Sequence, residues 1–381
     1  MDSYAFITQE QRDFITILRD ILDKELAPII TEYDEKNEYP MHVHRTLCEA
    51  GFNSVTIPNE LGGLGMDMVT YCLIGEEMAR YDAGFAFSFN AANGILKAVY
   101  AHGTDEQKKY CTDRILNDGA ISCTCITEAE AGSDAAAMRT TAVRDGDEYV
   151  LNGTKTFISN GGIADMFLVL ASTDRSKGAK GISMFIVEKR HGVQAGKHED
   201  KLGIRLSDTS EVIFDDVRIP ASNLIGEEGM GFKYVMQFLD TSRPFTMVYA
   251  VGLAQRALEL SIKYAKVRNT FGQPIIANQG VNFMLADMEA QIQAARQLIF
   301  YAARMVDAGI PLGSLSPVIK TFASEMAVRV TEMAVQIHGG YGYCKDYPVE
   351  KLYRDAKIFT IFEGTNQIQR MVLSRHLAKR Q

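Results

Sequence analysis

The first third of the chain repeats apolar residues at the spacing of an amphipathic helix. The series runs from Phe14 to Leu26, and Pro28 should perturb it because proline donates no backbone hydrogen bond. A capping-box sequence, Thr8-Gln9-Glu10-Gln11, predicts the start of that helix. Further helices are predicted over 43–50, 68–81, 84–102 and 104–116, with a short strand near Val55 and a glycine-rich loop over 58–65.

From about residue 120 the pattern changes to that of short strands. These are predicted over 121–127, 140–144, 149–152, 156–159, 166–171, 182–188 and 211–214. The turn sequence Asp145-Gly146-Asp147 joins the second of them to the third. Regular short strands separated by Gly and Asp turns indicate an antiparallel barrel or sandwich.

Helical patterns return at about residue 226. They cover 231–239, 242–266, 279–308, 315–338 and 365–379. The chain therefore reads as an α+β multidomain protein: an N-terminal helical domain over 1–119, a middle β domain over 120–226 and a C-terminal helical bundle over 227–381. This order differs from the βαβ alternation of a doubly wound fold. No GxGxxG follows a strand, and no GxxxxGK[ST] occurs.

The charge balance narrows the class of protein. With 40 basic and 48 acidic residues among 381, the net charge is −8 and no basic stripe is present, which argues against a nucleic-acid partner. No apolar run is long enough to span a bilayer. The first residues, Met1-Asp2-Ser3-Tyr4, resemble neither a secretory signal nor a mitochondrial presequence, so we expect a cytoplasmic protein without a membrane partner.

Cysteine and histidine give no metal-binding pattern. The six cysteines have no CxxC spacing, and we interpret all of them as reduced core thiols. His42 and His44 lack a third ligand and are interpreted as surface residues, so we expect no metal.

The stretch from Ile361 to Met371 carries the candidate chemistry. Glu363 lies between bulky apolar residues and Gly364. A carboxylate in apolar surroundings has a raised pKa, which suits a general base for carbon acids. The same local pattern also fits a helix N-terminus with an acidic residue in its first turn, and on this stretch alone that alternative is favoured.

Several separated motifs now decide between these interpretations, because they resemble those of the acyl-CoA dehydrogenase family over essentially the whole chain. They are Thr127-Glu128-Ala129-Glu130-Ala131-Gly132-Ser133-Asp134, Leu151-Asn152-Gly153-Thr154-Lys155, Lys201-Leu202-Gly203-Ile204-Arg205, Arg268-Asn269-Thr270-Phe271-Gly272, Gln336-Ile337-His338-Gly339-Gly340, Tyr353-Arg354-Asp355-Ala356-Lys357 and the Glu363 stretch. The resemblance implies a helical–β–helical fold with a C-terminal four-helix bundle, bound FAD, an acyl-CoA substrate and a homotetramer built as a dimer of dimers.

The resemblance also assigns chemistry to Glu363. It matches the family's catalytic base, which removes the α-proton of the acyl chain while the β-hydrogen leaves as hydride to flavin N5. The thioester oxygen would accept a hydrogen bond from the Glu363 backbone N–H and another from a flavin ribityl hydroxyl. Some relatives carry the base directly before the arginine that is Arg243 here. That position is Ser242 in this chain, so we expect Glu363 to be the base.

Other site residues follow from the same resemblance. Those matching flavin contacts are Ile126, Thr127, Ser133, Phe157, Ser159, Arg268, Phe271, Gln279, Gln336, Gly339, Gly340, Thr365 and Gln367. Among them, Arg268, Phe271, Gln279, Gln336, Gly339 and Gly340 would hold the FAD of the neighbouring subunit. Those matching substrate contacts are Ser133, Asp240, Arg243 and Gly364; Asp240 and Arg243 alone could equally be a helix-capping ion pair. One departure is that Ala129-Glu130 replaces the family's Pro-Gly, which should loosen that turn and leaves the substrate contact at Ser133 in doubt.

The sequence determines the acyl substrate and the direction of the reaction less completely than the family. No Lys or Arg lies between Ala83 and Leu96, which disfavours a glutaryl group. Phe85, Phe87 and Phe89 could shorten the acyl pocket, stack on a ring, or belong to the core. We expect a short or medium straight-chain acyl-CoA, with branched, alicyclic and aromatic acyl groups open, and electron-transfer flavoprotein as the redox partner.

Three alternatives stay open at this point. The same residues could run the reverse reaction as an enoyl-CoA reductase, including one for aryl or alicyclic acyl groups. The chain could also be a non-catalytic FAD- or acyl-CoA-binding relative, or a flavin oxidase. The retained Glu363 argues against the last two.

Overall fold

A computed structural model describes residues 7–379 and begins with a helical part. Its helices are α1 (Gln9–Ile21), α2 (Ile30–Lys36), α3 (Met41–Glu49), α4 (Met68–Tyr81), α5 (Ala83–Ala91), α6 (Gly94–His102) and α7 (Asp105–Leu116). The predicted capping box is present: the Thr8 hydroxyl accepts from the Gln11 N–H, and the Gln11 side chain accepts from the Thr8 N–H. Around Pro28 the regular α-helix is replaced by one π-helical turn and one 3₁₀ turn. Proline has no N–H to donate, so it cannot continue the α-helical hydrogen bonds.

Two predictions for this part are wrong. The expected strand near Val55 is instead a 3₁₀ turn, Phe52–Ser54, which follows the left-handed Gly51 at the end of α3. The predicted helix over 84–102 is two helices, α5 and α6, broken at Ala92 and Asn93. The break lets the Ala92 carbonyl accept a hydrogen bond from the Ser122 N–H of the first strand, at 2.8 Å.

The middle part is one curled sheet. Its strands are β1 (Ser122–Cys125), β2 (Thr141–Asp145), β3 (Glu148–Ser159), β4 (Met166–Ser172), β5 (Ile182–Glu188), β6 (Gln194–His198) and β7 (Thr209–Pro220). The order is β1-β4-β2-β3-β7-β6, with β5 also paired to β4. Most pairs are antiparallel as predicted, but β1–β4 and β2–β4 are parallel, so the sheet is mixed. Two predicted strands merge into β3, which carries irregularities in its pairing with β7. The polar, largely exposed β6 has no alternation that could have predicted it.

The C-terminal part is helical again. It comprises α8 (Gly231–Val267), a hairpin of β8 (Asn269–Thr270) and β9 (Gln273–Pro274), α9 (Gln279–Asp307), α10 (Leu315–His338), α11 (Val349–Ala356) and α12 (Asn366–Ala378). The two helices predicted on either side of residue 240 are one continuous α8, which contains Pro244. Burial on both sides of this proline holds the helix together in spite of the lost backbone hydrogen bond.

One hydrophobic core joins the two helical parts. It includes Leu18 and Met78 from the N-terminal helices and Val251, Ile292 and Val330 from α8, α9 and α10. The two faces of the sheet bury separate clusters. Within residues 7–379, no helix is both long and apolar enough to cross a membrane.

A buried charge cluster joins all three parts. The Lys351 ammonium on α11 lies 2.5 Å from Asp82, which caps α5, and 2.6 Å from Asp355. The other Asp355 oxygen accepts a hydrogen bond from the Ile204 N–H of the β part at 2.6 Å. Gly203 is needed at this point, because a Cβ there would lie 2.5 Å from the backbone of Arg354.

Replacing Lys351 with methionine should destabilise the protein by about 3–5 kcal/mol, because it leaves two buried carboxylates without their counter-charge. Urea unfolding of the variant measures the loss. Lys357→Met, which changes an exposed lysine on the following turn, serves as the matched control. Equal unfolding midpoints for the two variants would contradict the role given to the cluster.

Candidate active site

Glu363 lies in a loop between α11 and α12, in an unusual backbone conformation. Its φ is 57°, in the left-handed region that a non-glycine residue adopts only when its surroundings enforce it. Gly364 follows with φ 83°, and Thr365 caps α12 by accepting from the Ile368 N–H at 3.3 Å. The carboxylate therefore precedes the helix cap, and the interpretation as an acidic residue in the first helical turn is wrong.

Neighbouring side chains hold this loop by its carbonyl groups. The Arg243 Nε donates to the Glu363 carbonyl at 2.9 Å. Gln369, fully buried, donates to the carbonyls of Glu363 and Gly364 at 3.3 and 3.2 Å. A side chain at Gly364 would meet that Gln369 amide at 2.7 Å. The N–H of Glu363, by contrast, donates to no acceptor among the described residues, so it is available to a ligand.

Among the described residues, the hydrogen-bond partner of the Glu363 carboxylate is Ser242, whose hydroxyl donates to Oε2 at 3.3 Å. Burial raises the pKa of Glu363, and the charges of Arg243, Lys97 and Lys320 together with the Ser242 hydrogen bond only partly offset it. A carboxylate with a raised pKa accepts a proton more readily at neutral pH, which is the property of a general base.

Lys320 lies beneath the loop and was not anticipated. It is fully buried, donates to Asn366 Oδ1 at 2.7 Å, and burial lowers its pKa to about 8. Asn366 in turn donates to Ser324 and Glu325, so the start of α12 is tied to α10. Three polar residues come together around the loop from different helices: Ser242, Lys320 and Gln369. No pattern in the sequence identifies Lys320 or Gln369 as part of the site.

Aromatic rings form a wall next to Glu363. The Phe87 ring lies 4.9 Å from that of Phe362, which precedes the carboxylate, and 6.3 Å from that of Tyr249. Phe85 and Phe89 are buried in the core instead, so only Phe87 of the three candidates faces this wall.

The predicted flavin residues of the sheet lie together. Ile126 and Thr127 follow β1, and the Thr127 carbonyl accepts from the Thr156 N–H at 2.9 Å, next to Phe157 and close in sequence to Ser159. Phe157 has φ 57° and its side chain is 64% exposed, so a flat apolar surface points away from the sheet. Such a surface suits one side of a flavin ring.

A buried ion pair supports this edge. Lys155 Nζ lies 2.9 Å from Glu128 and donates to the Ile126 carbonyl at 3.0 Å. The turn where Ala129-Glu130 replaces Pro-Gly is nonetheless closed, since Glu128 and Ala131 exchange two backbone hydrogen bonds. Glu130 is exposed and pairs with Arg139 at 2.6 Å. Ser133 lies exposed just beyond this turn.

Five of the C-terminal candidates line two cavities. Arg268, Gly339 and Gly340 line one of about 440 Å³, where the Arg268 guanidinium lies 5.6 Å from the Tyr341 ring. Thr365 and Gln367 line another of about 520 Å³. The remaining candidates, Phe271, Gln279 and Gln336, are exposed and line neither of these cavities. Asp240, also exposed, pairs with Arg243 at 2.8 Å.

Two interpretations of single residues are corrected here. Cys344 is exposed and lines the 440 Å³ cavity, so it is not a core thiol. His44 is buried rather than on the surface, with a ring nitrogen 2.6 Å from the Tyr39 hydroxyl. Within residues 7–379, no group of three or more His, Cys, Asp or Glu side chains could hold a metal ion.

These features fit a flavin dinucleotide. Gly339, with φ 60°, and Gly340 both border open space beside the Arg268 cation, which allows a pyrophosphate to approach the backbone closely. The exposed Phe157 ring offers an apolar surface to an isoalloxazine.

Comparison with known proteins identifies the family. Models of the acyl-CoA dehydrogenase N-terminal, middle and C-terminal domains match residues 8–118, 123–217 and 229–378. The chain belongs to the acyl-CoA dehydrogenase family, whose members are flavoprotein oxidoreductases. The family resemblance and the helical–β–helical fold expected from it are therefore confirmed.

Individual relatives are similar over nearly their whole length. The acryloyl-CoA reductase (NADH) of Anaerotignum propionicum is 42% identical over 377 residues, covering 98% of this chain and 96% of the relative. The structure of butyryl-CoA dehydrogenase from Megasphaera elsdenii has a TM-score of 0.95 at 41% identity, covering 98% and 99% of the two chains. A chain in the structure reported as "Electron transferring flavoprotein of Acidaminococcus fermentans: Towards a mechanism of flavin-based electron bifurcation" also has a TM-score of 0.95, at 42% identity and full coverage of both chains.

Replacing Glu363 with glutamine should stabilise the protein at pH 7–8. Because folding raises the pKa of Glu363 above its ordinary 4.5, the native state favours the protonated form. This contribution to stability is present below the unfolded pKa and is lost as pH rises through the folded pKa. Thermal unfolding should therefore show a higher Tm for Glu363→Gln at neutral pH and a shrinking difference as pH falls toward 4.5.

Glu325→Gln is the control, because it should change the stability of the protein in the opposite direction. Burial raises the pKa of Glu325, but the hydrogen bonds from Arg370 and Asn366, together with the charges of Arg370 and Arg329, lower it by more. That variant should lose stability at neutral pH. If both variants shifted Tm in the same direction, the electrostatic account of Glu363 would be wrong.

Proposed function

We propose that this protein is an FAD-dependent acyl-CoA dehydrogenase that forms trans-2-enoyl-CoA, with Glu363 as the base that removes the α-proton. The observation that carries the proposal is the left-handed Glu363: its carbonyl is held by Arg243, its carboxylate has a raised pKa, and its N–H has no acceptor in the described part of the chain. The α-carbon of a thioester is only weakly acidic. A residue that supplies both a base for its proton and an N–H for the developing oxyanion suits this reaction.

Each neighbour of Glu363 has a role in the proposed reaction. Arg243 and Gln369 hold the loop so that the carboxylate and the N–H keep their relative orientation. Ser242 orients the carboxylate through its hydroxyl. The Glu363 N–H would donate to the thioester oxygen as negative charge develops there. Bound FAD would accept the β-hydrogen as a hydride.

FAD would be held by the residues that the resemblance selects. Ile126, Thr127, Ser133, Phe157 and Ser159 would contact the flavin half, while Thr365 and Gln367 would contact the adenosine half. The exposure of Phe271, Gln279 and Gln336 suits a contact with the FAD of a neighbouring subunit in a homotetramer. The domain limits 1–119, 120–226 and 227–381 and a cytoplasmic location are part of the same proposal.

The acyl group would be short, because the Phe87, Phe362 and Tyr249 rings crowd the base. This fits the name of the M. elsdenii relative, a butyryl-CoA dehydrogenase. Asp240, Arg243, Ser133 and Gly364 would contact the CoA thioester. Electron-transfer flavoprotein is the proposed partner, in line with the subject of the A. fermentans structure.

A second candidate is the reverse reaction, reduction of a short enoyl-CoA. The raised pKa of Glu363 favours it as well, because the protonated acid can return a proton to the α-carbon. A relative named for acryloyl-CoA reduction supports keeping this direction open.

Glu363→Gln should lower turnover of butyryl-CoA by about 100- to 10,000-fold while the protein keeps its flavin and still binds the thioester. Anaerobic bleaching of flavin absorbance on adding butyryl-CoA measures the forward reaction, and oxidation of the pre-reduced protein by crotonyl-CoA measures the reverse. Glu130→Gln, which changes an exposed acid, is the control. Activity of Glu363→Gln within a few-fold of wild type would overturn the base assignment, and rapid peroxide release in air would favour an oxidase.

Arg268→Ala should weaken FAD binding by about 10- to 100-fold, as expected for loss of one charge-assisted hydrogen bond. The ratio of flavin to protein absorbance after gel filtration measures retention. Arg256→Ala removes an exposed arginine from α8, well before the end of the helix that Arg268 follows, and should retain FAD. Equal retention in the two variants would contradict a role of the 440 Å³ cavity in holding the cofactor.

A further inference from the structure

Lys320 on α10 is a buried cation to which the proposed reaction gives no role. None of its side chain is exposed, and its ammonium donates to Asn366 Oδ1 at 2.7 Å. Within residues 7–379 it forms no ion pair, so the charge is buried against a neutral amide. Burying an ammonium without a carboxylate partner is unfavourable, and an apolar side chain at this position would avoid the penalty. The charge therefore serves something other than the stability of the fold.

Asn366 connects this lysine to the start of α12. It is the first residue of that helix, three positions after Glu363, and it is buried. Its amide donates to Ser324 Oγ and to Glu325 Oε1, both at 3.0 Å. Together with Lys320, three side chains of α10 thus hold one residue of α12. Because hydrogen bonds are directional, this network fixes where α12 begins relative to α10.

The buried face of α12 is polar, and it contacts the Glu363 loop. The two buried residues of the helix are Asn366 and Gln369, which are three positions apart and therefore on the same face. Gln369 donates to the carbonyls of Glu363 and Gly364 at 3.3 and 3.2 Å. A path of contacts therefore leads from Lys320 through Asn366 and the first turn of α12 to the backbone of the base.

The charge of Lys320 also acts on the base. The charged groups that act on its ammonium are Glu363 from the loop, Arg243 from α8 and Glu325 from its own helix. Burial lowers the pKa of Lys320 and raises that of Glu363, and the attraction between the two opposes both shifts. This attraction favours the ionised carboxylate, which is the form that accepts a proton.

We propose that Lys320 is a positioning residue for the base: its ammonium anchors the start of α12 through Asn366 and supplies a counter-charge beneath the Glu363 loop. The inference rests on the proposed function and adds a residue to it. Lys320 acts through Asn366 and through its charge, and no proton of the reaction passes through it.

Lys320→Gln and Lys320→Met separate the two effects, because glutamine removes the charge but can still donate to Asn366, whereas methionine removes both. The measurement is the pH profile of the limiting rate at which butyryl-CoA bleaches the flavin of the anaerobic holoenzyme. On the acidic limb, both variants should be about 3- to 10-fold slower than wild type, because Glu363 then needs a higher pH to ionise.

The alkaline side of the profile isolates the hydrogen bond. Burial lowers the pKa of Lys320 to about 8, so above that pH the wild-type side chain loses its own charge. Lys320→Gln should then match wild type, while Lys320→Met should stay about 3- to 10-fold slower for want of the bond to Asn366. Lys263→Gln, at an exposed lysine of α8, should follow wild type at every pH. A profile of unchanged shape in both Lys320 variants, whatever their Tm, overturns the inference.

A double-mutant cycle in thermal unfolding tests the coupling without substrate. On the holoenzyme at neutral pH, Glu363→Gln should raise the Tm by more in the Lys320→Met background than in wild type, because the carboxylate there has lost one of its cations. The excess should vanish as pH falls and Glu363 becomes protonated. If no acyl-CoA bleaches the flavin but this coupling is found, the proposed function fails and the role of Lys320 toward Glu363 stands. Additive effects of the two substitutions at every pH overturn it.

Discussion

The shared ammonium of Lys351 is the constraint on which the arrangement of the site depends. It binds Asp82, which caps the helix that carries Phe87, and Asp355, at the end of the helix before the Glu363 loop. Through Ile204, Asp355 also fixes the β part. Since breaking a buried charge pair is costly, the three parts cannot shift independently at this point. The aromatic wall, the Glu363 loop and the sheet that would carry the flavin are thereby held in one frame.

The conformation and the burial of the Glu363 loop destabilise the folded protein. Its left-handed backbone costs about 1–3 kcal/mol, and burial disfavours the ionised carboxylate. Arg243 and Gln369 compensate by holding the carbonyl side of the loop, which leaves the N–H without an acceptor within residues 7–379 and the carboxylate bonded to the Ser242 hydroxyl. A conformation that is strained and yet fixed by its neighbours is what a preorganised base and oxyanion donor require.

Much of the fold was predictable from local pattern, and the errors have a common cause. Capping at Thr8, the extent of α4 and the largely apolar run of β5 are encoded within a few residues. The break between α5 and α6, the continuity of α8 through Pro244 and the polar β6 depend on what the chain packs against. The same holds for the site: motifs selected Glu363, but the side chains of Ser242 and Gln369 contact this residue only in the folded chain, and Lys320 lies close enough for its charge to act on it.

The contact between Ser242 and Glu363 explains how this fold can tolerate its base at two positions in the chain. The Ser242 hydroxyl lies 3.3 Å from the Glu363 carboxylate, so side chains from α8 and from the α11–α12 loop converge on one point. An acid at either position could therefore reach the same α-proton. Acids at both would place two carboxylates within contact and force one to stay protonated. A small hydroxyl at 242 avoids that conflict and orients the single carboxylate that remains.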